Sequence, residues 1–322
     1  MAPPVLRGKP GSHVPLPPFV AILMCTRNGG QFLEHQLESI AKQSFQAWTV
    51  WVSDDGSQDG TLEILRRYRT SWGAHRLSIR GGPGKGFCAN FLSIACDNSI
   101  DATHFAFADQ DDVWEPDKLE RALLWHQTVP ESVPALYGTR TVLVDQEGRF
   151  LGLSPLFRRA PSFRNALVQN IAGGNTMVFN RAARSLLQLA GDTVCVVTHD
   201  WWTYLLVSGS GGRVCFDPYP SVRYRQHPLN QIGSGRTLMD RFARLRLALG
   251  GRLRGWNDAH LAAIGPVRHV LSDEARETLQ KFDSARKSSG LAGALRLLDC
   301  GVYRQTLGGN LALALAAALG KI

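Results

Sequence analysis

The chain has 322 residues, 44% of them apolar and 20% charged, with a formal net charge of +9. That balance fits a globular protein with a sizeable core, as one large domain or one domain with a smaller appendage. No run of about 18 apolar residues is present, which excludes a transmembrane helix.

Residues 1–18 are rich in proline and glycine and are expected to be a disordered tail, with no apolar run to make a signal peptide. Phe19–Cys25 is a continuous apolar run ending in Thr26-Arg27-Asn28, the pattern of a buried parallel strand entering a loop. Phe32–Gln43 has a helical period. Trp48–Ser53 predicts a second strand running into Asp54-Asp55-Gly56-Ser57, and Thr61–Tyr68 a second helix. Leu77–Arg80 makes a short third strand before a glycine-rich turn, Phe91–Cys96 lies in a helix, and Thr103–Ala108 is a fourth strand stopping at Asp109. Strands alternating with helices imply a doubly wound α/β sheet, whose ligands collect at the carboxyl ends of the strands. The polar clusters 26–28, 54–57 and 109–112 all fall at such ends.

After Asp117 the pattern is mixed. Lys118–Gln127 is helical, Ala135–Asp145 and Asn175–Phe179 read as strands, and Arg181–Leu189 as a helix. Thr198-His199-Asp200 opens a helix over Trp201–Val207, and Arg213–Asp217 and Ser221–Gln226 are strands. From Thr237 the pattern is helical throughout, which sets a boundary near 235. Leu238, Phe242, Leu245 and Leu249 form a stripe with Arg241, Arg244 and Arg246 beside it, and Leu311–Leu319 is apolar but too short to span a bilayer. Residues 236–322 carry 14 Lys/Arg against 7 Asp/Glu, most of the positive excess. Six cysteines (Cys25, Cys88, Cys96, Cys195, Cys215, Cys300) without a CxxC pair read as reduced thiols of a cytoplasmic protein.

Asp109-Gln110-Asp111-Asp112 is the sharpest chemical signal. Three carboxylates in four residues repel one another unless a cation offsets them. A hard ion such as Mg2+ or Mn2+ takes few protein carboxylates and completes its shell with phosphate and water. The plain alternative is a solvated turn that caps the next helix. In Asp54-Asp55-Gly56 a carboxylate can accept from a pyrimidine ring and the glycine lets the chain pass close to a ligand; ordinary turn chemistry is the alternative. Gly173-Gly174-Asn175-Thr176 either lets an acceptor approach the backbone or forms a turn.

The segments ILMCTRNGGQFLEHQLESIAKQSF, WVSDDGSQDGT, GPGKGFCANF, FAFADQDDVWEPDKLE, GGNTMVFN, THDWW and YRQHPLN resemble family-2 glycosyltransferases of the GT-A fold. The likeness is greatest to the bacterial rhamnosyltransferase-like branch that builds surface polysaccharides, and it covers roughly residues 19–235, leaving 236–322 as a basic helical region. The resemblance implies a mixed, mainly parallel sheet and a nucleotide pocket with Thr26, Arg27, Asn28, Asp54 and Asp55, with Lys85 and Asn90 on the donor side. It implies that Asp109 and Asp111 form the DxD element gripping metal and diphosphate, that His227 ligates the metal or contacts the diphosphate, and that Asp200 is the catalytic base. Asn175, His199, Trp201 and Trp202 are then candidates for the acceptor side. Arg27 stands where the family commonly has an aromatic residue, and Cys88 where this branch often has a small one.

The reaction so implied is inverting and metal-dependent, with Mn2+ or Mg2+ as cofactor. A sugar passes from a nucleotide-diphosphate donor, dTDP-rhamnose or a UDP-hexose, to a hydroxyl of a saccharide or lipid-linked acceptor. Two rivals are a sugar-nucleotide nucleotidyltransferase, whose glycine-rich phosphate loop is missing after the first strand, and a non-catalytic nucleotide-binding protein. No nucleic-acid partner is expected, because the basic residues sit on leucine-rich helices without interleaved aromatics. The helices after 236 either lie peripherally on the inner face of the cytoplasmic membrane or pack on the catalytic domain.

Overall fold

The computed structural model describes residues 17–227 and 251–322. Its first half follows the alternation read from the sequence: β1 (Val20–Thr26), α1 (Leu33–Ala41), β2 (Trp48–Asp54), α2 (Thr61–Trp72), β3 (Leu77–Gly81), α3 (Phe87–Cys96) and β4 (His104–Ala108). These strands lie side by side in the order β3-β2-β1-β4, all parallel. Every residue of β1 is buried, because helices cover both faces of the sheet. Ala21, Leu23 and Cys25 face the cluster containing Phe91 and Ile94 of α3, while Val20, Ile22 and Met24 face Leu33 and Leu37 of α1.

The second half is mixed: β5 (Val113–Trp114), α4 (Lys118–His126), β6 (Ala135–Val144), β7 (Phe150–Leu153), α5 (Phe163–Ala166), a short 3-10 helix (Gly174–Thr176), β8 (Val178–Asn180), α6 (Arg181–Ala190), α7 (His199–Gly209) and β9 (Arg213–Arg225). The sheet continues β4-β8-β6-β9-β5, with β7 beside β6. β8 runs antiparallel to β4 and β6, and β9 parallel to β6. Three differences from the sequence reading have local causes. Asn175–Phe179 is not one strand: Thr176 Oγ1 donates to the Gly173 carbonyl at 2.8 Å, closing a turn before β8 begins. The two strands expected over 213–226 are one strand of 13 residues, and register shifts against β6 absorb Pro218 and Pro220. β5, β7 and α5 are too short to show a period.

The C-terminal region is α8 (Arg252–Ile264), a 3-10 segment (Gly265–Val270), α9 (Asp273–Arg286), α10 (Gly290–Asp299) and α11 (Leu307–Ala318). Ser272 and Thr306 cap α9 and α11 by accepting from Ala275 N and Gly309 N. Leu253, Ile264, Phe282, Leu297 and Leu313 belong to the same buried cluster as Phe91, Phe163 and Trp202. Polar ties add to it: Asn165 Nδ2 donates to the Tyr303 carbonyl at 2.9 Å and Gln305 N to Gln169 Oε1 at 2.8 Å. The boundary near 235, the stripe from Leu238 to Leu249 with Arg241, Arg244 and Arg246, and the tail up to residue 16 lie outside the described residues. All six cysteines are free. Among the described residues no helix is long and apolar enough to cross a membrane.

Candidate active site

The carboxyl ends of β1, β2 and β4 lie together, with Thr26 paired to Asp54 and Met24 to Ala108 in the sheet register. Asp54 is the organiser of its turn: it accepts from Thr26 Oγ1 at 2.7 Å, Ser57 N at 2.8 Å and Ser57 Oγ at 2.6 Å. Asp55 reaches across to the loop after β3, accepting from Gly84 N at 2.6 Å and Gly86 N at 3.1 Å. Those glycines have φ of 67° and 89°, a region that favours glycine. Asn90 sits beneath the loop, donating through Nδ2 to the Ser53 carbonyl at 3.0 Å, and is only 1% exposed. That bond ties α3 to the end of β2. Arg27, Asn28 and Lys85 form the exposed rim.

Gln110 was not singled out from the sequence, although a neutral amide inside an acidic run is the signal for it. Its side chain accepts from Arg27 N at 2.8 Å and donates to Arg27 O at 3.0 Å, joining the β1 and β4 loops. Gly29 permits this, because a Cβ there would lie 2.2 Å from Gln110 Oε1.

The acidic run divides its work. Asp112 is fully buried and structural, accepting from Asn175 Nδ2 at 2.5 Å and from Arg225 N at 3.3 Å. Burial, then the charges of Asp111 and Asp109, raise its pKa well above the usual carboxylate range. Lys118 lies under it with Nζ 3.8 Å over the Trp114 ring, and burial pushes this ammonium down to about 7 against the pull of Asp112. Asp111 is part-exposed and meets His227 Nε2 at 2.7 Å, the imidazole lying 5.3 Å from the Phe32 ring. Asp109 is pushed up to about 8, by burial first, then by Asp111 and Asp200.

Carboxylates this crowded fit a cation. Among the described residues, no group of three His, Cys, Asp or Glu side chains gathers closely enough to hold an ion by itself. Asp111 and His227, with Asp109 beside them, are the residues that could hold a hard divalent ion together with phosphate and water oxygens.

Asp200 stands at the start of α7. Its Oδ2 accepts from Gly174 N at 3.0 Å and its Oδ1 from Trp201 N at 2.7 Å, so the carboxylate is fixed from two sides. Only glycine fits at 174, because a Cβ would lie 2.6 Å from His199 Nε2 and 3.3 Å from Asp200 Cβ. The residues expected on the acceptor side lie packed around it. His199 is buried, stacked 4.0 Å from Phe91 and edge-on to Phe107 at 4.7 Å. Trp202 is fully buried, and Trp201 donates through Nε1 to the Ala166 carbonyl at 2.6 Å. α7 is buried on nearly every side, so its aromatic residues pack the core. Asn175 is buried too, its amide committed to Asp112. His260 of α8 escaped the sequence reading altogether; its ring lies edge-on to Trp201 at 4.7 Å, and no local motif marks it.

Carboxylates thus gather at the ends of parallel strands, with Asp200 at a helix start near enough to raise the pKa of Asp109. Residues 21–187, just over half the chain, match the family model described as glycosyl transferase family 2, and the chain belongs to that family. Among curated proteins it is similar to the dTDP-rhamnosyl transferase RfbG of Shigella flexneri, 27% identical over 235 residues, which cover 70% of this chain and 78% of that one. The putative teichuronic acid biosynthesis glycosyltransferase TuaG of Bacillus subtilis (strain 168) is 28% identical over 178 residues, or 53% of this chain and 66% of that one. Among solved structures, S. aureus TarS 1–349 in complex with UDP-GlcNAc matches with a TM-score of 0.51 at 15% identity, over 94% of this chain and 90% of that one. The mannosyltransferase PcManGT from Pyrobaculum calidifontis, in complex with GDP-Man and Mn2+, matches with a TM-score of 0.51 at 20% identity, over 94% and 86%. The shared architecture is the GT-A fold.

Proposed function

We propose that this enzyme transfers one sugar, with inversion, from a nucleotide-diphosphate donor to a hydroxyl of a saccharide or lipid-linked acceptor during surface polysaccharide synthesis on the cytoplasmic side. The observation that carries this reading is Asp200, fixed by two backbone N–H groups and close enough to Asp109 to raise its pKa. Each Asp200 oxygen keeps a lone pair for an acceptor hydroxyl. As that hydroxyl oxygen attacks the anomeric carbon, Asp200 takes its proton, the bond from the anomeric carbon to the diphosphate oxygen breaks, and the nucleoside diphosphate departs. Asp111 and His227, with Asp109 beside them, would hold Mn2+ or Mg2+, which would offset charge on the departing diphosphate. Arg27, Asn28 and Lys85 line the rim for base and phosphates, and Thr26, Asp54 and Asp55 hold the two loops that shape it.

For the donor, the likeness to a dTDP-rhamnosyl transferase favours dTDP-rhamnose first and a UDP-hexose second. Slow hydrolysis of a panel of nucleotide sugars with Mn2+ or Mg2+ tests both donor and metal. Asp200→Asn is expected to bind donor normally and to lose transfer by about 100- to 10,000-fold. Unchanged transfer in that variant would sink the reading.

A further inference from the structure

The C-terminal hairpin turns leucines away from the protein. Leu291, Leu295 and Leu298 of α10, and Leu307, Leu311 and Leu315 of α11 with Leu319 just beyond it, range from 48% exposed at Leu315 to 85% at Leu307. They recur at three- and four-residue steps, so each helix presents them as one stripe. The opposite faces do the folding. Leu297, Leu313, Ala316 and Ala317 are buried, and the helices approach so closely that a Cβ on Gly293 would lie 3.0 Å from the Ala317 carbonyl. Both helices therefore have an apolar inner face and an apolar outer face, whereas a helix on a water-exposed surface is polar outside. Contiguous outward apolar patches beyond a few hundred Å2 are rare in proteins without a partner.

The charges identify the partner. Residues 288–322 carry Arg296, Arg304 and Lys321 against one acid, Asp299, and α11 carries no charge at all. Arg254 of α8 joins this rim, donating through Nη1 to the Gly320 carbonyl at 3.3 Å. Arg296 and Lys321 are exposed beside the leucines. The apolar run Leu311–Leu319 extends only about 14 Å as a helix, roughly half of a bilayer's hydrocarbon thickness. Leucine faces bordered by cations, and too short to span, suit the boundary between headgroups and acyl chains.

We infer that the outer face of α10 and α11 docks the enzyme on an anionic phospholipid bilayer, with the leucines inserted and Arg254, Arg296 and Lys321 set against lipid phosphates. The inference goes beyond the catalytic reading and stands without it. It is tested by sedimenting the full chain with vesicles of phosphatidylcholine alone or mixed with phosphatidylglycerol. The chain is expected to pellet with the anionic vesicles, less so as salt rises. Variants combining Leu291→Ser with Leu295→Ser, or Leu307→Ser with Leu311→Ser, are expected to bind about tenfold more weakly or worse, with an unchanged circular dichroism spectrum. As a second measurement, tryptophan placed by Leu311→Trp is expected to be quenched by brominated acyl chains. Failure of the full chain to pellet, serine variants that bind like the unaltered protein, or an unquenched Trp would each overturn the assignment. So would a dimer that the serine variants dissociate, since the face would then belong to a second copy of the chain.

Discussion

His199 precedes the proposed base in the chain, yet its ring is caged by Phe87, Phe91 and Phe107, and burial pushes its pKa down from 6.5 to about 4. Between those values the unfolded chain takes up a proton that the folded chain refuses, so stability falls as pH drops through that window. Half-buried His104 and buried His126 and His260, pushed down to about 4, 3 and 4, act in the same direction. Asp109, raised to about 8, acts oppositely: its stabilising proton is lost as pH rises. The difference between a variant and the unaltered protein is therefore the clean measurement. Both ring nitrogens of His199 lack hydrogen-bond partners among the described residues, so His199→Leu removes the titration without breaking a bond. Relative to the unaltered protein, the variant is expected to gain about 2 kcal/mol in urea unfolding on going from pH 8 to pH 5. An equal difference at both pH values would show that this histidine titrates as if exposed.

At the scale of elements, the site depends on close backbone approach between the 3-10 helix and the start of α7. Gly174→Ala would drive a methyl into His199 and Asp200. It is expected to cost about 1–3 kcal/mol of stability, and to lower transfer at least tenfold by displacing the base. Gly255→Ala is the matched control. It lies inside α8 with nothing within 4 Å of the added Cβ, and is expected to raise stability by about 0.5–1 kcal/mol with unchanged transfer. Equal effects of the two substitutions in thermal unfolding and rate assays would mean that the Gly174 contact does not constrain the site.

On the scale of the whole molecule, the C-terminal helices and the α/β unit bury side chains in one cluster. Phe282 is 1% exposed within it. Phe282→Ala is expected to cost about 3–5 kcal/mol and to shift a single urea transition, with circular dichroism and donor hydrolysis lost together. Two separate transitions would instead make residues 251–322 an independent appendage. The same helices bring His260 against Trp201, the neighbour of the proposed base, so the region outside the family match still packs on the site.

What the sequence determined by itself was whatever local pattern controls. β1 and β4 were legible because strands buried on both faces are nearly continuous apolar runs, whereas β3 lies at the sheet edge and was marked by the glycine-rich turn after it. The ends of β1, β2 and β4 were legible because clustered carboxylates and amides break the apolar runs there. Tertiary structure decided the rest, because burial and partnership depend on segments far apart in the chain. Asp112 and Asp111 are adjacent, yet one is sealed under Asn175 and Arg225 while the other meets His227. Trp201 and Trp202 have the composition of a sugar platform and became core because α7 is enclosed by α5, α6 and the C-terminal helices. The leucines of α10 and α11 look alike in sequence, and only the fold determines which of them face inward. A residue's type sets what chemistry it is capable of, but the desolvation and neighbouring charges that select among those roles exist only once distant segments pack together.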